Sequence, residues 1–129
     1  MNIDVSLDND VLAVEVDSSQ WCRCYLNSGN ERRLLGADDA GTLIHRLNRV
    51  FSDDHAPDGH MIDGVAVRWI CTLSEGHYTL YASYPDLESV FLYWQAPDSS
   101  IVTRAPLTKA RWNDFLQKLS LVPLVKHDG

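Results

Sequence analysis

With 129 residues, 45% apolar and 22% charged, the chain has the length and composition of one globular domain built on one hydrophobic core, which excludes disordered and collagenous classes. Its formal net charge of −7 disfavours binding to a nucleic-acid backbone, because the Lys and Arg residues are scattered while acidic ones gather at Asp8-Asn9-Asp10, Asp38-Asp39 and Asp53-Asp54. The same surface suits a basic protein partner.

Ile3, Val5 and Leu7 alternate with polar residues, and after the turn-forming Asp8-Asn9-Asp10 the segment Val11 to Val16 resumes the alternation, which predicts an amino-terminal hairpin. A further strand is expected over Trp21 to Leu26, between two turn-rich stretches. From Asp38 the period changes. Ala40, Leu43, Ile44, Leu47, Val50 and Phe51 recur at three- and four-residue steps, predicting an amphipathic helix of about four turns that starts at Asp38-Asp39 and ends near Ser52.

Gly64 to Leu73, Tyr78 to Ser83 and Ser89 to Gln95 are rich in β-branched and aromatic residues and predict a three-stranded meander. A last helix begins after the cap Thr108, with Leu107 and Trp112 placed to close a hydrophobic staple, and carries Phe115, Leu116 and Leu119 up to Pro123; residues 122–129 read as a frayed tail. The expected fold is a single α+β domain over 1–129. In it, the amino-terminal hairpin and the meander form one mainly antiparallel sheet with two amphipathic helices packed on it.

If both meander loops hold an even number of residues, Val65, Val67, Trp69, Cys71, Leu73, Tyr78, Leu80, Ala82, Phe91 and Tyr93 share the core face. The opposite face then carries Arg68, Ile70, Tyr81, Leu92 and Trp94 beside Thr72, Thr79 and Val90, too apolar for ordinary wet surface. Tyr, Trp and Arg dominate interface energetics, so Arg68, Ile70, Tyr81, Leu92 and Trp94 are the expected partner-binding residues. A second copy of the chain could bury the same patch as a homodimer, or the amino-terminal hairpin or final helix could cover it within one chain.

Motifs for catalysis are absent from the sequence. There is no Gly-x-Ser-x-Gly elbow, no phosphate loop and no Gly-x-Gly-x-x-Gly turn, so no catalytic residue and no cofactor is expected. Cys22-x-Cys24 is at most half of a soft-metal site, and buried apolar thiols are the simpler expectation for Cys22, Cys24 and Cys71. His55 and His60 stand among Asp53, Asp54, Asp58 and Asp63, a set that gives the alternative reading of a small enzyme or metal-binding protein, although its spacing fits no metal motif.

An odd cysteine count, no secretory signal at Met1-Asn2-Ile3-Asp4 and no run of about 18 apolar residues predict a cytoplasmic location and no membrane partner. In size, acidity and α+β layout the chain resembles bacterial immunity proteins and other small inhibitors that block a toxic enzyme. That resemblance is one of general character; it implies a protein-binding module and transfers no residue.

Overall fold

The computed structural model describes residues 2–51, 60–76 and 78–121. The described chain forms two successive units, each an antiparallel meander whose last strand runs straight into a helix. In the first, β1 (Asn2–Leu7), β2 (Asp10–Val16), β3 (Trp21–Ser28) and β4 (Glu31–Asp39) lie in that order and lead into α1 (Ala40–Leu47), followed by a 3-10 turn over Asn48–Phe51. In the second, β5 (His60–Ile62), β6 (Val65–Thr72), β7 (Thr79–Ser83), β8 (Ser89–Gln95) and β9 (Ile101–Thr108) again lie in chain order and lead into α2 (Lys109–Ser120).

The expectation of a single sheet is therefore wrong: the strands form two sheets, of four and five strands. The amino-terminal hairpin and β3 lie where the alternation puts them, but β4 completes their sheet, and β5 and β9 flank the meander. No alternation marks β4, because its first four residues are exposed and a bulge opposite Cys24/Tyr25 is followed by four buried residues in succession, Leu35 to Asp38. Pro106 obscures β9, yet that strand is an edge of the second sheet, where a missing backbone donor is tolerated.

Helix α1 is shorter than its sequence period suggests. Asp39, not Asp38, caps it, accepting from the Thr42 amide (3.0 Å) and hydroxyl (2.6 Å), and the apolar stripe beyond Leu47 continues into the 3-10 turn. Thr108 caps α2 as expected, accepting from the Arg111 amide, and both Leu107 and Trp112 are buried. The expected stop at Pro123 and the tail 122–129 lie outside the described residues.

One principal core takes side chains from both sheets and both helices, including Leu12, Leu26, Leu43, Leu80, Trp94 and Phe115. Trp112 lies fully buried between the helices, and its Nε1–H donates to the Leu47 carbonyl at the end of α1 (3.2 Å). The sheets join at their margins. Ala37 and Glu75 exchange two backbone hydrogen bonds of 2.8 and 2.9 Å, and the Thr103 hydroxyl donates to Asp10 (2.6 Å).

Close approach at the first junction requires glycine. A Cβ on Gly76 would fall 2.7 Å from the Leu35 carbonyl oxygen, and one on Gly36, at φ 153°, would fall 2.9 Å from that of Glu75. Beside it the buried Asp38 carboxylate accepts from the Ser74 amide (3.2 Å) and hydroxyl (2.7 Å) and pairs with Arg46 Nε (3.1 Å), tying β4, α1 and the β6–β7 loop together.

Among the described residues no helix is long and apolar enough to cross a membrane.

Candidate functional site

Two register features reverse part of the expected assignment of faces. Seven residues, 84–90, separate the paired Ser83 and Phe91, an odd number, so β8 turns Val90, Leu92 and Trp94 inward and Phe91 and Tyr93 outward. A bulge between Trp69 and Cys71 then changes the phase of β6, so that Arg68, Ile70, Cys71 and Leu73 all face inward.

Of the five expected partner-binding residues, Arg68, Ile70, Leu92 and Trp94 are consequently buried, while Tyr81 is half-buried on the outer face. They do not form the shared outer patch. Arg68 reaches the rim of the core, where its Nη1 donates to the Arg49 carbonyl (3.0 Å), while Arg49 Nη1 donates to the Ile70 carbonyl (3.1 Å).

The true outer face is made by cross-strand rows that begin with Trp69, Tyr81, Tyr93 and Arg104 and include Ser83 and Phe91. It is partly covered by the β5–β6 hairpin, whereas the face that carries Ile70, Leu92 and Trp94 is packed within the chain against the amino-terminal hairpin and the final helix, one of the expected alternatives. Strand β6 pairs with β7 only from Arg68 to Thr72; its first residues, Val65 to Val67, pair with β5 alone. The β5–β6 hairpin turns on Asp63 (φ 51°) and Gly64 (φ 81°), left-handed conformations that a two-residue Asp-Gly loop supplies with little strain. It arches across the sheet, so that Asp63 at its tip pairs with Arg104 on β9.

Beneath the arch Ile62 and Val67 bury against Tyr93, and the His60 imidazole stacks on the Tyr81 ring at 4.4 Å and 9°. His60, expected in an acidic metal loop, thus serves β5 and the arch; its Nε2 has no hydrogen-bond partner among the described residues. His55, Asp53, Asp54 and Asp58 lie outside the described residues, as does His77. Among the described residues no three His, Cys, Asp or Glu side chains gather as a metal site.

Between the arch and the β7–β8 turn opens a cleft of about 480 Å³. Phe91 and Tyr93 give it an aromatic floor, Val65 and Ala66 wall it on the arch side, and Pro85 faces them from the turn. The turn is anchored below by Tyr84, whose hydroxyl donates to the Val50 carbonyl (2.6 Å).

The polar groups in this wall are few. The Ser83 and Tyr93 hydroxyls, both on residues more than nine-tenths buried, share one hydrogen bond of 2.9 Å, and the Arg104 guanidinium lies 5.5 Å over the Tyr93 ring. An apolar, ring-floored concavity with a few convergent polar groups has the makeup of a ligand or anchor-residue site.

Two smaller clefts differ. One, about 420 Å³, lies at the seam between the sheets beside Gly36 and Gly76 and is explained by that junction; the other, about 290 Å³, is a groove between α1 and α2. The three cysteines are free and buried in the principal core. Burial pushes the Cys22 thiol up to about 11 and Cys71 up to about 12, and raises Cys24 as well, so all three are held as neutral thiols.

Compared with protein-family models, curated proteins and solved structures, the chain finds no match. The site therefore rests on its own geometry.

Proposed function

We propose that the chain is a protein-binding module of the inhibitor type, which neutralises a partner enzyme by holding one of its segments against the outer face of the five-stranded sheet. The observation that carries this reading is the cleft between the β5–β6 arch and the β7–β8 turn, of a volume suited to one or two anchoring side chains. Exposed apolar residues stand on the elements that wall it: Met61 and Val65 on the arch, 56% and 42% exposed, and Leu87 in the turn, 76% exposed. Aromatic and Arg side chains at the centre with aliphatic ones around them are the composition of an interface core.

The net charge of −7 favours a partner whose surface is basic, since complementary fields speed encounter and reject like-charged competitors. A cytoplasmic location belongs to the same reading and is supported by three cysteines that are all free.

Ala66 tests the reading, because it is exposed, lines the cleft and lies on β6 where a longer side chain displaces nothing from the core. The tagged chain and its Ala66→Arg variant are recovered gently from the native cells and compared by native mass spectrometry. A stoichiometric complex with another protein is expected for the parent chain and not for the variant, with both showing the same circular dichroism. A parent chain recovered only as a monomer or homodimer, or a complex indifferent to Ala66→Arg, overturns the proposal.

A further inference from the structure

We infer that the cleft recognises a carboxylate carried on a planar apolar body, with Arg104 taking the carboxylate. The inference rests on the cleft being the binding site and adds the chemistry of what enters it. Its apolar part follows from the lining, where the half-buried Phe91 gives a flat group an aromatic surface beside Val65, Ala66 and Pro85, with the Tyr93 ring buried beneath.

The polar part follows from a count of hydrogens. Ser83 and Tyr93 carry two hydroxyl hydrogens and share one hydrogen bond, so one O–H in a wall more than nine-tenths buried has a hydrogen to give. Arg104 has five N–H donors and no acceptor, and Asp63 engages it through Nη2 alone. The unspent polar capacity of the cleft is therefore weighted towards donors, which matches a carboxylate better than an amine, whose acceptors there would be hydroxyl oxygens and the Asp63 carboxylate already paired with Arg104.

Asp63 does not block this. Its side chain is 68% exposed and that of Arg104 45%, and an ion pair so open to solvent is weak enough for an incoming carboxylate to share or displace it. The acidic net charge acts at longer range on the partner's surface, whereas Arg104 acts within the cleft.

Two sources supply such a group: a free aromatic acid, or the terminal carboxylate of a partner chain that ends in an aromatic residue. The experiment titrates 3-phenylpropionate and its amide into the ¹⁵N-labelled chain and follows amide shifts around Ala66, Phe91 and Tyr93. The acid is expected to bind about ten times or more tighter than the amide, and Arg104→Gln to abolish that preference, as loss of a charge-assisted hydrogen bond does. Asp63→Asn removes a like charge and is expected to tighten the acid about two- to fivefold without changing the amide.

N-acetyl-Ala-Ala-Phe with a free carboxyl terminus, binding more tightly than 3-phenylpropionate, identifies a chain end as the source; binding no better identifies the free acid. Equal binding of acid and amide, or Arg104→Gln leaving the acid's affinity unchanged in a folded chain, overturns the inference while the partner-binding reading stands. No binding of either compound also overturns it, and the capture experiment with Ala66→Arg then decides the broader reading separately.

Discussion

The β5–β6 arch is held by buried apolar contact, with its ion pair secondary, and three substitutions separate the contributions. Ile62 is 4% exposed and packs with Val67 and Tyr93, so Ile62→Ala removes buried methyl and methylene groups beside a cleft into which the surroundings can partly relax. That places its effect at about 2–3 kcal/mol, towards the lower end for such truncations. His60→Ala removes the stack on Tyr81, about 0.5–1.5 kcal/mol. Asp63→Asn keeps a residue that tolerates the left-handed turn and removes only the solvent-exposed pair with Arg104, below about 1 kcal/mol.

Urea denaturation and amide hydrogen exchange, measured on all three variants, report global and local opening respectively. If the arch opens on its own, Ile62→Ala speeds exchange within β5 and β6 by roughly 30- to 150-fold with little movement of the urea midpoint. If it opens with the domain, the full loss appears in the urea transition. Asp63→Asn destabilising as much as Ile62→Ala in either measurement would refute the reasoning, because the arch would then be an electrostatic clasp.

Asp38→Ala leaves Arg46 and Ser74 facing a buried vacancy and is expected to lower stability by about 3–5 kcal/mol; a loss under about 1 kcal/mol in urea would show that the three-way link at the sheet junction carries little. Asp39→Ala removes the α1 cap at about 0.5–2 kcal/mol. The Thr42 hydroxyl, and after it the Thr42 amide, holds the Asp39 carboxyl below its ordinary 3.8, so its contribution is present above that pH and is lost as pH falls through the lowered value. The variant should accordingly show a shallower acid limb in a thermal-melt series from pH 6 to pH 2. Native protein at pH 8 should resist a chromogenic disulfide reagent and release three thiols in guanidinium, since burial keeps Cys22, Cys24 and Cys71 neutral; rapid native labelling would contradict that placement.

Period-two alternation located the hairpin of β1 and β2, β-branched and aromatic composition located the three meander strands, and a 3.6-residue period located both helices, although β6 and β8 bury residues on both faces. The signal failed where backbone irregularity broke it. In β4 the bulge puts Leu35, Gly36, Ala37 and Asp38 in succession inside the molecule, a run that reads neither as a strand nor as a helix, and with β4 unseen a second sheet could not be inferred.

The site was lost to smaller errors of the same kind. Five residues were expected to face outward together, and an odd loop together with one bulge sent four of them into the core. What could have been read was Asp63-Gly64 between Met61-Ile62 and Val65-Ala66, a strong hairpin signal for a two-residue turn that was masked by counting Asp63 with the acidic residues before it.

Recognising that hairpin would have given β5 but not the arch, which depends on β6 leaving β7 before Arg68 and on a contact between residues 63 and 104, separated by three strands. Such a contact leaves no periodic trace. The cleft exists because one hairpin departs from its own sheet, so the feature most relevant to binding is the one for which local pattern carries least information.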